Sequence, residues 1–301
     1  MRVTITVPAT SANLGPGFDI FGLALQLQNE VEAILTDDGA VTVSVDRDAP
    51  PELRDPATNL VARAYRSACA QLGVAMPSAR LTCVNRIPLR RGLGSSAAAA
   101  LAGTLAACAL HAGPWDEEQI LAHVTEFEGH RDNAAAALLG GLTICAPGVP
   151  AVTMEVPDEL RVVVFVPDVE LATATARGVI GDSFTRADAV YNAARCALLV
   201  RAIATSDFQL LGAAMQDRWH QRQRTVLFPA LPVLIEAAME GGAYGAALSG
   251  AGPSVIALVS AASADAVGAA MERAASAGGV GGHAIVTAVR TWGARVDVHA
   301  S

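Results

Sequence analysis

Residues 88–98 read Pro-Leu-Arg-Arg-Gly-Leu-Gly-Ser-Ser-Ala-Ala, and this stretch decides the fold. Its two glycines predict a turn, and the alanine-rich run at 97–110 predicts a helix, because Ala and Leu are strong helix formers. Ser95 and Ser96 stand where that helix should begin, and serine is a favoured N-cap. The first turn of a helix offers unpaired N–H groups and partial positive charge to an anion. The stretch therefore predicts either a phosphate site or an ordinary turn before a buried helix.

All 21 basic residues are arginine, so the chain contains no lysine. A Walker-type phosphate loop, a protein kinase and a Schiff-base enzyme each need a lysine at a defined position. All three classes are therefore excluded. A nucleotide bound by this chain would be held by backbone N–H groups, hydroxyls, a metal ion and arginine.

The composition limits what the chain binds and where it works. Its 301 residues are enough for two domains, and a formal net charge of −8 argues against a nucleic-acid or acidic-membrane surface. Five scattered cysteines without a C-x-x-C pair are typical of reduced thiols in a cytoplasmic protein. The N-terminus alternates like a strand and does not resemble a signal peptide. No apolar run reaches the roughly 18 residues of a membrane span.

Strand and helix patterns occur in both halves of the chain, which predicts an α+β architecture. In the first half, a strand at 2–7 leads into a loop at 8–19. In the second half, the pattern predicts a helix over 207–218 and a closing strand over 283–289. The proline-rich segment 147–158 is the predicted domain boundary.

Three glycine-bearing segments, at 8–19, 88–98 and 248–254, resemble in order and content those of the GHMP small-molecule kinases. The first reads Pro-Ala-Thr-Ser-Ala-Asn-Leu-Gly-Pro-Gly-Phe-Asp, and the last reads Leu-Ser-Gly-Ala-Gly-Pro-Ser. The resemblance spans nearly the whole chain and implies a kinase that uses ATP. It also implies the two-domain fold of that family, with a ribosomal-protein-S5-like N-terminal domain at 1–155 and a ferredoxin-like C-terminal domain at 156–301.

The first segment resembles the branch of this family that phosphorylates L-homoserine. Mevalonate and galactose kinases usually open with a P-G-x-x-x-L-x-G-E-H type segment, which this sequence lacks. The resemblance therefore implies transfer of a phosphoryl group from ATP to L-homoserine, which gives O-phospho-L-homoserine on the route to threonine. It implies a small-molecule partner, and it makes a homodimer a reasonable expectation.

A site for homoserine needs positive charge for the carboxylate, an acidic or carbonyl partner for the ammonium, and a group near the hydroxyl. Arginine suits a carboxylate because its guanidinium contacts both oxygens. By the resemblance, the substrate-binding residues are Asn13, Asp19, His130, Asn133, Thr173, Arg177 and Arg224. The alternative for Asn13 and Asp19 is ordinary turn chemistry. The alternative for a single arginine is a solvated surface position, which we expect for Arg218 and Arg222.

By the same resemblance, the ATP-binding residues are Pro88, Leu89, Arg90, Arg91, Gly92, Leu93, Gly94, Ser95, Ser96, Ala97 and Ala98. Ser96 and Glu128 would be ligands of Mg²⁺, an ion that takes few carboxylates and keeps waters and phosphate oxygens. Residues 126–133 resemble the family's E-G-H-P-D-N segment, with Arg131 where proline is common. The implied catalytic residues are Glu128, Asn133 and Arg177. The alternative for Glu128 is a solvated charge at a helix end.

Two other functions stay open from the sequence. The chain could phosphorylate a different small alcohol, or it could be an inactive relative that binds a nucleotide or small molecule as a sensor. The two arginines with an acidic residue favour homoserine over mevalonate or a sugar. An inactive relative should lack the metal carboxylate or the serine, yet Glu128 and Ser96 are both present.

Overall fold

The computed structural model of the protein describes residues 1–46 and 49–299. Their strands are β1 (Arg2–Ala12), β2 (Phe21–Leu35), β3 (Val41–Val45), β4 (Ala79–Val84), β5 (Leu142–Ile144), β6 (Val152–Met154), β7 (Leu160–Pro167), β8 (Gly245–Leu248), β9 (Val255–Ser260), β10 (Gly282–Ala288) and β11 (Arg295–His299). Their α-helices are α1 (Leu60–Gln71), α2 (Ser95–Leu110), α3 (Glu117–Glu128), α4 (Asp132–Leu139), α5 (Thr173–Gly178), α6 (Arg186–Ala204), α7 (Leu211–Ala214), α8 (Gln221–Arg224), α9 (Leu231–Glu240) and α10 (Ala264–Ala277). Short 3-10 helices occupy Pro51–Leu53 and Phe208–Leu210.

The first sheet has the strand order β11-β1-β2-β4-β3, with β5 and β6 added beside β2. Its pairs are antiparallel except for β3 with β4. β1 pairs with β2 along its full length, and the register shifts between Pro8 and Ala9. The end of β1 beyond this irregularity carries the first glycine-bearing segment toward the site.

Helix α2 is buried on nearly every side, because it packs against both β1 and α1. A helix that is apolar all round belongs in a protein interior, which accounts for its run of alanines. Gly103 marks the closest approach, since a Cβ there would lie 2.1 Å from the carbonyl oxygen of Val61. Small side chains therefore let α2 pack closely against α1. The packing of α2 fixes the position of the loop at 88–94 that precedes it, which is named the phosphate loop after its predicted ligand.

The second sheet is antiparallel, with the order β10-β7-β9-β8. The apolar run of β7 is buried along most of its length, and α9 and α10 cover one face of this sheet. The mixed sheets and helices confirm the predicted α+β class. Among the described residues, no helix is long and apolar enough to cross a membrane.

The structure corrects two predicted elements. The loop predicted over 8–19 is too long, because β1 continues to Ala12 with small and polar residues that pair with β2. The helix predicted over 207–218 is wrong, since only a 3-10 turn and α7 form there. The side chain of Asp217 accepts hydrogen bonds from three following backbone N–H groups, which starts the next helical turn instead. The closing strand predicted over 283–289 is present as β10.

The last strand of the chain returns to the first sheet. β11 pairs antiparallel with β1, from Arg2–His299 to Thr6–Arg295. The sequence analysis did not identify this strand. The sheet formed by the N-terminal half is therefore completed from the C-terminal end, and the boundary between residues 155 and 156 stays a prediction.

Candidate active site

The three glycine-bearing segments meet, and hydrogen bonds join their backbones. The N–H of Thr10 donates to the carbonyl of Leu93 at 3.1 Å, and the N–H of Gly250 donates to that of Ala12 at 3.1 Å. The hydroxyl of Ser249 lies 2.7 Å from the carbonyl oxygen of Gly92. Residues that are 83 to 238 positions apart in the sequence thus form one wall of a single site.

This wall borders a narrow cavity of about 90 Å³. Most of the residues predicted for the site line it: Asn13, Arg90, Gly92, Leu93, Gly94, Ser95, Ser96, Glu128, His130, Asn133, Thr173, Arg177 and Arg224. Asp19 is outside the lining and reaches the site through its contact with Arg177. The predicted ATP residues Pro88, Leu89, Arg91, Ala97 and Ala98 are also outside it.

The phosphate loop depends on glycine at two positions. Gly92 and Gly94 have φ values of +73° and +68°, in the left-handed region. A Cβ on Gly94 would also lie 2.0 Å from Oγ1 of Thr10, and one on Gly92 would lie 2.2 Å from the carbonyl oxygen of Ser249. Both glycines are therefore required by conformation and by space.

The structure corrects the predicted start of α2. Gly94 occupies the N-cap position, no side chain caps the helix, and Ser95 is its first residue. Neither serine is the N-cap, because the left-handed turn at Gly94 places both inside the first helical turn. An uncapped helix N-terminus beside a cavity presents its N–H groups to a ligand.

The side chain of Arg91 holds the loop in place and does not line the cavity. Its Nε donates to the carbonyl of Pro167 at 2.7 Å, and its Nη2 donates to that of Asp168 at 2.7 Å. Glu170 lies 3.4 Å from its Nη1. The side chain fastens the phosphate loop to the end of β7, while the neighbouring Arg90 lines the cavity.

Ser96 and Glu128 are in contact beside the phosphate loop, and both line the cavity. The hydroxyl of Ser96 donates to Oε1 of Glu128, the last residue of α3. Gly129 ends that helix with a φ of +73°. Burial raises the pKa of Glu128, and the hydrogen bond from Ser96 opposes the rise. The carboxylate is therefore held in a place where it loses water, a cost that a bound cation would relieve.

The donor set suits Mg²⁺ when phosphate is present. One carboxylate and one hydroxyl supply the hard oxygen ligands that Mg²⁺ takes, with waters and phosphate oxygens completing its shell. Among the described residues, no cluster of three or more His, Cys, Asp or Glu side chains could hold a metal ion by itself. Ser96 and Glu128 therefore offer two oxygen donors, and the rest of the shell of an ion bound there would come from waters and phosphate oxygens.

The segment after α3 brings His130 and Asn133 to the cavity that Asn13 and Arg224 also line. Nδ1 of His130 lies 2.7 Å from Oδ1 of Asp132. Burial lowers the pKa of His130, but the hydrogen bond and negative charge of Asp132 outweigh it and raise that pKa overall. Thr10 donates to Oδ1 of Asn133 at 2.8 Å, which fixes how the amide is turned.

Arg131, which replaces the family's proline, makes a different contact. Its Nη2 donates to both carboxylate oxygens of Glu118, at 2.8 and 2.9 Å. Glu118 lies in the first turn of α3. A charged clamp between the two ends of α3 therefore holds the turn at this position.

Arg177 and Asp19 form a two-bond ion pair. Nη1 and Nη2 of Arg177 donate to Oδ2 and Oδ1 of Asp19, at 3.1 and 2.5 Å. Asp19 has a φ of +60°, and its N–H donates to the side chain of Asn13 at 3.1 Å. The first loop thus turns its acidic end toward the arginine of α5.

Arg224 is almost fully buried, with 2% of its surface exposed. Its Nε donates to the carbonyl of Ala176 at 3.0 Å, and its Nη1 donates to that of Gly250 at 2.9 Å. Burial, and then the positive charge of Arg177, lowers the pKa of Arg224 to about 10, so it remains charged at neutral pH. Arg218 and Arg222 are exposed, as predicted.

Phe18 supports both arginines of the site. The guanidinium carbons of Arg177 and Arg224 lie 5.2 and 5.4 Å from its ring centroid. A cation close to an aromatic face is stabilised by the ring. Phe18 therefore offsets part of the repulsion between two like charges that are held close together.

The sequence analysis did not assign several residues that complete the site. Thr10, Phe18 and Asp132 lie inside segments that the resemblance singled out, and His220 lies four residues before Arg224. Their roles follow from contacts between segments, such as Thr10 with Asn133. These positions were the only signal in the sequence.

Comparisons with known proteins identify the family of this chain. Residues 59–141 match the family described as GHMP kinases N terminal domain, and residues 199–277 match the GHMP kinases C terminal family. A homoserine kinase of Desulfitobacterium hafniense is 40% identical over 98% of this chain and 99% of its own length. A homoserine kinase of Synechococcus sp. is 38% identical over 99% of this chain and 98% of its own length.

A solved structure gives the same result for the fold. The crystal structure of homoserine kinase from Cytophaga hutchinsonii superposes with a TM-score of 0.87 and 30% sequence identity. The match covers 98% of this chain and 97% of the other. The fold is therefore shared over nearly the whole chain.

Proposed function

The chain belongs to the GHMP kinase family, and from this premise we propose that it phosphorylates L-homoserine with ATP, giving O-phospho-L-homoserine for threonine biosynthesis. The observation that carries the proposal is the placement of two kinds of group beside one cavity. Ser96 and Glu128 stand at the phosphate loop, while Arg177 and Arg224, with Asp19, supply the charges that an amino acid needs. A kinase for an uncharged sugar has no use for the second group.

The substrate's charged ends would bind to the loop at 13–19 and the two arginines. Arg224 and Arg177 would hold the carboxylate, because a guanidinium can donate to both oxygens. Asp19 would accept from the ammonium, exchanging part of its ion pair with Arg177 for the substrate. Asn13 and Thr173 line the same part of the cavity and would add hydrogen bonds.

ATP would bind with its phosphates at the loop of residues 88–98. The uncapped N–H groups of α2 and the left-handed glycine turn suit phosphate oxygens. Arg90 lines the cavity and would add positive charge, and Arg91 would act by holding the loop. ATP use follows from the kinase family.

Mg²⁺ would be held by Ser96 and Glu128 together with phosphate oxygens. When bound, it neutralises charge on the phosphates of the nucleotide. The protein's own part is to keep these two oxygen donors beside the phosphate loop, which the contact between Ser96 and Glu128 already does.

The reaction that these residues support is direct in-line transfer. The substrate hydroxyl would attack the γ-phosphorus while the bond from that phosphorus to the oxygen that bridges to the β-phosphate breaks. ADP would leave, and the hydroxyl proton would be released to solvent. Catalysis would come mainly from positioning and charge stabilisation. Asn133, oriented by Thr10, and Arg177 would polarise the hydroxyl. His130 would line the homoserine pocket beside them.

The proposal is tested by measuring ADP release with ATP and Mg²⁺ against homoserine, mevalonate, galactose and threonine. We expect turnover with homoserine and at most background rates with the others. Turnover of another alcohol but not of homoserine would show that the chain is a kinase of this family with a different substrate. Nucleotide binding without any turnover would favour the inactive sensor and overturn the proposal.

We also propose that the enzyme works in the cytoplasm as a homodimer, with the domain boundary at residues 155 and 156. The scattered cysteines support a reducing compartment, and all five are free. Sedimentation equilibrium would measure the assembly, with a mass of twice 30.8 kDa expected. A mass of 30.8 kDa at micromolar concentration, which is that of the monomer, would contradict the dimer.

A further inference from the structure

His220 is a fully buried histidine that no step of the proposed reaction uses. One ring nitrogen, Nε2, lies 2.8 Å from the carbonyl oxygen of Gly15, in the first loop. The other, Nδ1, lies 3.0 Å from Nη1 of Arg224. The ring therefore bridges the loop that carries Asn13 and Asp19 to the arginine proposed for the substrate carboxylate.

The two partners fix the tautomer of this histidine. A carbonyl oxygen only accepts and a guanidinium only donates, so Nε2 carries the hydrogen and Nδ1 presents its lone pair. Burial lowers the pKa of His220, which keeps the ring neutral at neutral pH. Only the neutral ring can accept from Arg224 while donating to Gly15.

The backbone of His220 is itself held firmly. The carboxylate of Asp217 accepts from the N–H groups of His220 and Gln221, both at 2.8 Å. The amide of Asn192 donates to the same carboxylate at 2.7 Å and to the carbonyl of Pro16 at 3.2 Å. These contacts leave the imidazole little freedom to follow a movement of its partners.

The bonds to Arg224 determine which nitrogens remain for a ligand. Its Nε donates to Ala176, and the two hydrogens of Nη1 are taken by Gly250 and His220. Within the described residues these bonds use three of the five N–H groups of a guanidinium, and the two on Nη2 remain. Together with the other two bonds, the bond to His220 sets the orientation of the guanidinium and so the direction of the two N–H groups on Nη2.

We propose that His220 is a positioning residue that holds Arg224 and the loop at 13–19 in one fixed relation, so that the carboxylate and the ammonium of one substrate are bound together. This inference rests on the proposed function, because it takes Arg224 as the group that binds the carboxylate. His220 does not touch the substrate. It acts through Arg224 on one side and Gly15 on the other.

Two substitutions separate the two bonds. In His220→Asn the amide oxygen can stand where Nδ1 is and accept from Arg224, whereas in His220→Gln the amide nitrogen can stand where Nε2 is and donate to Gly15. We expect His220→Gln to lower kcat/KM for homoserine at least tenfold with KM for ATP unchanged. We expect His220→Asn to retain more of that activity.

The preference for homoserine over 3-aminopropan-1-ol separates positioning from a purely structural role, which would not change it. 3-Aminopropan-1-ol is homoserine without its carboxylate. The wild-type enzyme should prefer homoserine strongly, and His220→Gln should reduce the ratio of the two kcat/KM values at least fivefold. An unchanged ratio in His220→Gln, or an equal loss for both substrates, would overturn the proposal. If His220→Gln does not fold, His220→Phe, which removes both bonds, is judged by the same ratio.

A matched control separates stability from positioning. His123 is also buried, and its two ring nitrogens lie within 3.0 Å of Thr104 and Ser67 in the first domain. His123→Gln should lower Tm without changing the substrate ratio. A ratio that falls equally in this variant would show that general loosening is the cause and would contradict the role of His220.

The Arg224→Gln background distinguishes this inference from the proposed function. If Arg224→Gln leaves the substrate ratio unchanged, the carboxylate assignment of Arg224 fails whatever His220 does. If Arg224→Gln reduces the ratio and His220→Gln does not, only the inference about His220 fails. In the double variant we expect less than a twofold further loss of the ratio, because both changes act through one guanidinium.

Discussion

Asp19 and Arg177, 158 residues apart, hold each other by two hydrogen bonds at the edge of the cavity. The acidic and the basic side chain that an amino acid would meet therefore neutralise each other. A bound zwitterion would replace this ion pair by two others, Arg177 with its carboxylate and Asp19 with its ammonium. Each charge that loses water in the site would then have an opposite charge beside it. A neutral alcohol offers neither charge and would leave the pair intact.

The first prediction concerns Asp19. Asp19→Asn should raise KM for homoserine and lower kcat/KM by about 10- to 100-fold, since a hydrogen bond to a charged group contributes about 1.5–3 kcal/mol. KM for ATP should stay within twofold, because the phosphate loop is untouched. Steady-state kinetics with each substrate varied in turn checks both values. The exposed Asp265→Asn on α10 is the matched control and should behave as wild type.

A second prediction tests the metal ligand. Glu128→Ala should lower kcat more than tenfold and raise the Mg²⁺ concentration needed for half-maximal rate, because one oxygen donor is lost. Rates are measured over a Mg²⁺ titration at saturating substrates. Glu126→Ala, two residues earlier and exposed, should leave the titration unchanged. A loss smaller than tenfold in Glu128→Ala would remove this residue from the metal site.

The phosphate loop gives a third prediction. Gly94→Ala places a Cβ 2.0 Å from Oγ1 of Thr10 in a left-handed conformation, so the turn must shift. We expect at least a tenfold loss of kcat/KM for ATP. Gly73→Ala has a similar φ of +76° with open space around its Cβ, and it should lower Tm slightly with full activity. Equal effects on activity in the two variants would show that close approach at Gly94 is unimportant.

A fourth prediction follows from the low pKa of His220. Burial lowers the pKa of His220 in the folded protein, while an unfolded chain has the ordinary value of about 6.5. The stability associated with the neutral ring is therefore present above that value and is lost as pH falls through it. Between pH 7 and pH 5, Tm should fall further in the wild type than in His220→Asn. Parallel pH profiles would show that His220 does not titrate differently in the two states.

Much of the site was predictable because many of its residues lie in four short segments, at 8–19, 88–98, 126–133 and 248–254. The left-handed glycines, the serines and Glu128 occupy the positions that the motifs indicate, and most of them line one cavity. The alanine-rich pattern at 97–110 also predicted a helix, which is present as α2.

The remainder depended on contacts that no local pattern contains. β1 extends past Pro8 because β2 lies beside it, and small polar residues there carry no strand period of their own. Ser95 fails to cap α2 because Thr10, from another segment, leaves room only for glycine before it. His220 acquires its partners from residues 15 and 224, and only the folded chain brings the first of these near.

The carbonyl oxygen of Gly250 accepts from both the amide of Asn13 and Nη1 of Arg224. The two sides proposed for the ammonium and the carboxylate thus rely on one main-chain acceptor. Substituting Asn13 or Arg224 removes one of the two hydrogen bonds but leaves the oxygen in place for the other. A change at one end of the proposed substrate site therefore leaves the main-chain anchor of the other end in position.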